Sequence, residues 1–422
     1  MIVHIDCNSF FVSCERAFRP DLRHKPVVVL SNNDGCVCSM STEAKLLGIK
    51  RGDPYFKFKE LARTQNITCF SGNHKLYNDM SSRVMDTLRS IATNVEVYSV
   101  DDAFIKTDTS ISLVEYGNFI KKKIWQDTCI PVSVGIAETK TLSKIASHFA
   151  KRYKAYNGVA VIDTTEKAKK AMSLLPIENI WGIGRKLTIR LRQLGIKTAL
   201  QFAEMPQTMI HQILNITGER TWRELNGERC IPYEREATGK QSITASRSFA
   251  KDIYDIEYLS EAISVFAAIV SRRLRRQHGK CTELYVFLET NRFHNDTPYM
   301  CKTERTSFEE ATSDTLEITS AANNALKRIY KNGIGFKRAG IVVTNIVTGN
   351  TWQMGLFTDE LKRKRSICLM ETIDKINAMN HATELIHVAA VTNRGVDRYV
   401  RNENKSRLYT TDINDIITVK AT

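Results

Sequence analysis

Apolar residues open the chain as a short run, Ile2 to Ile5, and return at Val27 to Leu30. Both runs have the length and β-branched content of buried strands. The second leads into Asn33-Asp34-Gly35, where Asp-Gly predicts a hairpin that returns through Cys36 to Met40. Helical spacing begins at Thr42, stops at Gly48, is broken by Arg51-Gly52-Asp53-Pro54, and resumes from Asn78 to Ile91. Val95 to Phe104 reads as one further apolar strand carrying Asp101 and Asp102, and Ile130 to Ala137 as a third central strand. Leu142, Ile145 and Phe149 set a helical period over Lys140 to Tyr153. Strands and helices mixed in this way predict an α/β or α+β catalytic body.

From about residue 165 to 232 the strand signals vanish and short helical stretches alternate with Gly and Pro, which predicts a small all-helical domain. Residues 241 to 348 then read strand, helix, strand, strand, helix, strand: Ser242 to Phe249, Glu257 to His278, Thr282 to Thr290, Cys301 to Phe308, Ser313 to Tyr330 and Arg338 to Val347. That order is the ferredoxin-like split βαβ unit. In its first helix Ile263, Phe266, Ala267, Val270 and Leu274 make the apolar stripe, with Arg272, Arg273, Arg275 and Arg276 mostly outside it. The tail beyond about 350 is polar and basic.

The chain has 422 residues, 42% of them hydrophobic, enough for sizeable cores and, at roughly 150 residues each, about three domains. Lys and Arg number 61 against 46 Asp and Glu, and the net charge of +15 favours a polyanionic partner, nucleic acid ahead of an anionic membrane. Asp6 interrupts the first apolar run and no stretch approaches about 18 uncharged apolar residues, so neither a signal peptide nor a membrane span is expected and a cytoplasmic location is. The 10 cysteines include no CxxC pair, which argues against a disulfide framework or a zinc ribbon.

Two apolar segments deliver carboxylate at or just beyond their ends, Ile2-Val3-His4-Ile5-Asp6 and Val95 to Asp102. If they are neighbouring strands, about 4.8 Å apart, Asp6 and Asp101 converge within bridging distance of one or two Mg²⁺ ions. Two such ions clamp the attacking and leaving oxygens of a phosphoryl transfer. The competing reading is that each aspartate only accepts turn or cap hydrogen bonds. Phe10 and Phe11 lie just beyond Asp6. An aromatic ring held against a nucleotide sugar leaves no room for a 2′-hydroxyl, a role open to Phe11. Adjacent aromatics on a helix cannot both face one core. Further on, Trp181-Gly182-Ile183-Gly184-Arg185-Lys186-Leu187 and the following helix read as helix-hairpin-helix. There the glycines permit a turn whose amides face a phosphate, and Arg185 and Lys186 add charge.

Four ordered motifs, Asp6-x-Asn8-x-Phe10-Phe11-x-x-Cys14-Glu15, Lys25-Pro26-Val27-Val28-Val29, Asn32 to Val37, and Tyr98-Ser99-Val100-Asp101, resemble the Y-family translesion DNA polymerases. The resemblance extends over nearly the whole chain. It implies an α+β right-hand architecture: a palm over 1–165 with fingers inserted at about 20–77, a helical thumb over 166–235, a ferredoxin-like little finger over 241–348 and a C-terminal tail over 350–422. It further implies template-directed, error-prone transfer of deoxynucleoside triphosphates to a primer 3′-hydroxyl past damaged template bases, in the DNA-damage (SOS) response. Two Mg²⁺ ions would be held by Asp6, Asp101, Asp102 and the Cys7 carbonyl. The family has Asp-Glu where this chain has Asp101-Asp102, a reach shorter by one methylene. The triphosphate would meet Ser39, Thr42 and Lys45, with Lys151 from the palm, while Phe10 and Phe11 would lie at the nucleotide.

Arg272 and Arg273, with Arg275, Arg276 and Lys280, are candidates for following a duplex backbone, as the little finger of that family does; the alternative is a solvated helix face. Gln353-Met354-Gly355-Leu356-Phe357 resembles the bacterial sliding-clamp pentapeptide, in which Gln353 would hydrogen-bond while Leu356 and Phe357 fill an apolar pocket. The basic run Lys362 to Arg365 beside it reads as solvated. A UmuD-like dimer and RecA are partners that the resemblance implies. Two other classes compete: a non-catalytic DNA-binding scaffold of polymerase fold, if Asp102 fails to support chemistry, and a nucleotide cyclase, which also pairs carboxylates on a palm-like sheet.

Overall fold

In the computed structural model, which describes residues 1–108, 112–233, 239–293, 298–348, 360–379 and 402–417, the first apolar run becomes the central strand of a five-stranded sheet. In chain order the elements are β1 (Ile2–Cys7), α1 (Phe10–Phe18), β2 (Val27–Leu30), β3 (Val37–Met40), α2 (Thr42–Leu46), α3 (Tyr55–Thr64), β4 (Thr68–Ser71) and α4 (His74–Ile91). Then follow β5 (Val95–Val97), β6 (Asp102–Lys106), α5 (Leu113–Thr128), β7 (Val132–Ala137), α6 (Lys140–Arg152) and β8 (Val159–Ile162). The sheet order is β5-β6-β1-β7-β8, with β1 antiparallel to both neighbours.

Side chains alternate across a strand, and β1 uses its two faces differently. Val3, Ile5 and Cys7 enter a core shared with Leu76, Val84 and Leu88 of α4 and Ile120 and Ile124 of α5. His4 and Asp6 face the other way, toward α6, whose Ser147 and Lys151 they contact. α6 lies very close to the sheet at Gly135, the register partner of His4: a Cβ there would stand 2.1 Å from the Ser147 amide nitrogen and 2.2 Å from the Ser143 carbonyl oxygen. Only glycine admits that approach.

A smaller three-stranded sheet, β3-β2-β4, has its own core of Val28, Leu30, Val37, Ala44, Phe58 and Ala62. The hairpin expected at Asn33-Asp34-Gly35 joins β2 to β3 antiparallel, through a 3₁₀ turn in which Asn33 (φ 61°) and Asp34 (φ 50°) are left-handed. The helical stretch consists of α7 (Thr165–Leu174), α8 (Arg185–Gln193), α9 (Ala199–Ala203), α10 (Gln207–Ile213) and α11 (Ile216–Leu225). Glu224 of α11 is buried and accepts from the amide and hydroxyl of Thr141, at 2.8 and 2.9 Å, in the first turn of α6. A carboxylate suits that positive helix end.

One expectation fails. Val95 to Phe104 is a hairpin of two strands, β5 and β6, joined through residues 98–101. The Asp102 carbonyl accepts from the amides of Tyr98 and Ser99, both at 3.1 Å, so an apolar run that looked continuous folds back on itself. Asp101 therefore sits in a turn.

Two compact units divide the chain: Met1–Ser31, Gly35–Ala237 and Asn404–Thr422 in one, Asn32–Asp34 and Thr238–Glu403 in the other. The second holds β9 (Ile243–Ile253), α12 (Ile256–Arg276), β10 (Gly279–Glu289), β11 (Cys301–Thr312), α13 (Thr315–Ile329), β12 (Phe336–Thr348) and α14 (Glu360–Met379). Its sheet order, β11-β10-β12-β9, inserts β12 between β9 and β10, the split βαβ that the sequence predicts. The predicted stripe of α12, Ile263 to Leu274, is buried beneath it. Two basic residues differ from expectation. Arg275 holds Asp374 of α14 with a bidentate pair at 2.7 and 2.9 Å, and Arg363, from the run read as solvated, donates to the Ala311 carbonyl at 3.2 Å and pairs with Glu310 at 3.0 Å. Planar guanidinium suits such anchoring. Among the described residues no helix is long and apolar enough to cross a membrane.

Candidate active site

β1 and β6 are neighbours, as the carboxylate argument requires, and their register sets Asp6 directly opposite Asp102. Asp101, just before β6, accepts the Cys7 amide on its backbone carbonyl at 2.8 Å, while its side chain takes the Ser99 hydroxyl at 2.6 Å. The Ser99 oxygen in turn accepts the Asp102 amide at 3.1 Å. Burial first, then the charges of Asp6, Asp101 and Asp102, push the Cys7 thiol well above its ordinary range. The carboxylates that act on Cys7 thus come from two adjacent strands and the turn between β5 and β6.

Helix α6 supplies the opposite charge. Lys144 and Lys151 lie two turns apart on one face, about 10 Å along the axis. Lys151 Nζ donates to Asp6 Oδ1 and Oδ2 at 2.9 and 3.2 Å, and Lys144 Nζ to Asp102 Oδ2 at 3.1 Å. Lys144 also stands in a cage of rings, 4.6 Å from the centroid of Tyr98, 5.5 Å from Phe104 and 5.4 Å from Trp181, and the Trp181 indole N–H donates to the Tyr98 hydroxyl at 3.0 Å. Cation–π attraction fixes the ammonium where the carboxylate needs it.

His4 completes the network, with Nε2 at 3.3 Å from Asp102 Oδ1 and Nδ1 at 2.7 Å from Ser147 Oγ. Burial lowers its pKa, against the hydrogen bond and charge of Asp102. Nδ1 and the Ser147 hydroxyl share a hydrogen bond, and the same hydroxyl donates to the Lys144 carbonyl at 3.0 Å. Burial alone would raise the Asp102 carboxyl, but the His4 hydrogen bond and the charges of His4 and Lys144 hold it down at about 2.

The nucleotide candidates gather in part. Phe10 is buried in the main core, while Phe11 is half-buried, stacked on Tyr77 (centroids 4.5 Å apart, planes at 14°) and edge-on to His74. The two neighbours separate as helix geometry demands. Ser39 lies on β3 and Thr42 opens α2, capped by Ser41. Exposed Lys45 is held below its usual range by partial burial and then by the charge of Lys151, with Asp6 pulling the other way. Lys45, Lys151 and Asp6 therefore share one neighbourhood.

Gly182 (φ +88°) makes the expected turn, and Gly184 caps α8 with no side-chain bond, leaving Arg185 and Lys186 exposed in its first turn. The element before the turn is one 3₁₀ turn, Ile177–Asn179, in place of the full helix that helix-hairpin-helix calls for. Arg272 is partly covered, and Arg273 donates to the Thr244 carbonyl at 3.0 Å. Gln353, Leu356 and Phe357 lie outside the described residues.

Among the described residues no three His, Cys, Asp or Glu side chains stand close enough together to hold a metal ion. The donors nevertheless suit a hard divalent cation: carboxylate oxygens and a main-chain carbonyl, with the thiol of Cys7 buried. Sequence reasoning missed His4 and Lys144. Their signals were present: His4 precedes Asp6 by one strand period, and Lys144 precedes Lys151 by two helical turns.

This arrangement of sheet, carboxylates and lysines lies on the fold of the Y-family DNA polymerases. A chimeric Y-family polymerase built from Dbh and Dpo4 matches with a TM-score of 0.66 at 24% identity, covering 82% of this chain and 99% of that one. The insertion ternary complex of Dbh DNA polymerase matches at 0.54 and 23%, covering 82% and 99%. Within that class the chain belongs to the impB/mucB/samB family, which matches residues 5–148 and, through its C-terminal domain, residues 240–356. A domain of unknown function, DUF4113, matches residues 368–419. Protein UmuC of Salmonella typhimurium is 38% identical over 427 residues, covering 100% of both chains. Protein MucB of Escherichia coli is 37% identical over 382 residues (89% of this chain, 90% of that one), and DNA polymerase IV 1 of Bacillus subtilis 30% over 295 (68% and 70%).

Proposed function

We propose that this chain, a Y-family translesion DNA polymerase, adds deoxynucleotides to a primer 3′-hydroxyl at the Asp6, Asp101 and Asp102 carboxylates. The observation that carries the reading is the register of Asp6 against Asp102, with Asp101 tied to Cys7, beside Lys151 and Lys144, which pair with Asp6 and Asp102. Asp6, Asp101, Asp102 and the Cys7 carbonyl are the residues to hold Mg²⁺, two ions in all, and the metal would neutralise charge on the attacking and leaving oxygens. Lys45 and Lys151 offer cations to the triphosphate, with the Ser39 and Thr42 hydroxyls beside them; Lys is a point charge that needs no bidentate geometry. Phe11, braced by Tyr77, presents its ring to the sugar and excludes a 2′-hydroxyl. Lys144 and His4 orient Asp102 without touching the substrate.

By this reading residues 1–165 are the palm, with fingers at about 20–77, residues 166–235 the thumb, 241–348 the little finger and 350–422 the tail. The first-turn amides of α8, with Arg185 and Lys186, bind backbone phosphate without reading sequence. Arg272 and Arg273 add phosphate contacts, Gln353, Leu356 and Phe357 engage the sliding clamp, and a UmuD-like dimer and RecA act as partners. The last two partners are proposed on likeness to UmuC.

One observation favours a second reading, a DNA-binding scaffold without catalysis: Asp6 and Asp102 are each neutralised by a lysine. Extension of a labelled primer with Mg²⁺, on intact template and across an abasic site, separates the two. Added nucleotides on both templates support the polymerase; DNA binding without extension supports the scaffold.

A further inference from the structure

β4 is an edge strand of the three-stranded sheet, and edges left open invite pairing. Here the edge is taken up by the chain's own C-terminal residues. The Ser71 amide donates to the Asn404 carbonyl at 3.0 Å, the Asn404 amide donates back to the Ser71 hydroxyl at 3.0 Å, and Lys405 bridges Ser71 in parallel. Asn73, fully buried, uses its side-chain amide on the Ser406 carbonyl (3.2 Å), the Ser406 hydroxyl (2.9 Å) and the Arg407 carbonyl (3.2 Å). Tyr409 stacks on Phe18 of α1, centroids 4.8 Å apart and planes at 11°. Beyond it the chain turns, the Leu408 amide held by Asp415 at 2.7 Å.

A second cluster meets the same segment. Glu15 of α1 is fully buried, and its Oε1 accepts from the Tyr77 hydroxyl at 2.6 Å and the Ser406 hydroxyl at 3.0 Å. Glu15 lies one helical turn from Phe11, and Tyr77, which donates to Glu15, is also the ring on which Phe11 stacks. Backbone edge, polar cluster and aromatic stack thus share one short peptide.

We propose that Asn404–Tyr409 is a docking strand that closes the β4 edge, completes the Glu15 cluster and thereby braces the Tyr77–Phe11 stack. This gives part of the stretch matched by the domain of unknown function a role: it ties the end of the chain to the aromatic that faces the nucleotide. The mode is strand addition, in which main-chain bonds supply affinity and side-chain pockets supply choice. The functional half rests on the sugar-facing role proposed above for Phe11; the docking half does not.

The test compares the full chain with a Ser406→Ala/Tyr409→Ala variant by amide hydrogen exchange and by ribo- against deoxynucleotide incorporation. Both changes lie in the tail. Exchange at Ser71 should quicken by roughly tenfold or more as its Asn404 acceptor is released, while amides of β1 and β7 keep their protection. Unchanged exchange at Ser71 overturns the docking strand. Faster exchange with unaltered sugar discrimination overturns the brace. If Phe11→Ala itself leaves discrimination unaltered, the sugar-facing role fails, and the exchange result still decides the docking.

Discussion

Replacing Gly135 by alanine tests whether the fold positions the site through the approach of α6. The added Cβ would stand 2.1 Å from the Ser147 nitrogen and 2.2 Å from the Ser143 oxygen, both main-chain atoms. Relaxing these to contacts of roughly 3.5 Å moves α6 by about 1.3 Å. Overpacking of this kind costs typically 1–3 kcal/mol. The displacement reaches the chemistry because Ser147 contacts His4, while Lys144 and Lys151 on the same helix hold Asp102 and Asp6. A shift near 1 Å is worth about 10²-fold in rate. Urea unfolding should therefore show a lower midpoint. Single-nucleotide addition, measured where circular dichroism shows the variant fully folded, should fall by about that factor. A variant that unfolds at the wild-type midpoint and adds nucleotides at the wild-type rate would refute the argument.

Phe11→Ala should raise ribonucleotide incorporation relative to deoxynucleotide, whereas Phe10→Ala, whose ring is buried, should chiefly lose about 3–5 kcal/mol of stability; single-nucleotide kinetics and denaturant melts would expose a swap of roles. Burial raises the Glu15 carboxyl from 4.5 to about 7 against the hydrogen bonds from Tyr77 and Ser406. Between those pH values the folded chain holds a proton that the unfolded chain has lost, so stability is full below about 4.5 and falls by about 3 kcal/mol as pH rises to 7. Glu15→Gln should flatten that fall in pH-resolved melts, and an undiminished slope would move its source elsewhere. Asp102→Glu should leave nucleotide addition unchanged or faster, because it lengthens a carboxylate now held back by Lys144 and His4; abolished activity would contradict the argument from reach.

Much of this was legible in the chain because periodicity reports burial. The run Ile2 to Ile5, the stripe Ile263 to Leu274 and the split βαβ all follow from which positions must leave water. The same signal failed at Val95 to Phe104, since a hairpin whose strands are both apolar has the hydrophobic profile of one long strand; the turn is made by Ser99 and main-chain bonds to Asp102, which periodicity does not register. At the site, aspartates near strand ends drew notice while His4 and Lys144 did not, because their periodic spacing from Asp6 and Lys151 gains meaning only once the fold sets each beside a carboxylate. Arg275, read as a duplex-backbone contact or a solvated charge, and Arg363, read as solvated, hid their roles for the same reason: their partners, Asp374 and Glu310, are remote in sequence. The docking strand at Ser71 rests on pairing across more than three hundred residues, beyond the reach of any local rule.

The most direct test of the central claim is single-nucleotide addition by Asp6→Ala and Asp101→Ala on a primer-template with Mg²⁺, with DNA affinity measured in parallel. If these carboxylates carry nucleotidyl transfer, both variants bind DNA about as tightly as wild type and add no nucleotide. Extension at the wild-type rate by either variant would contradict the account.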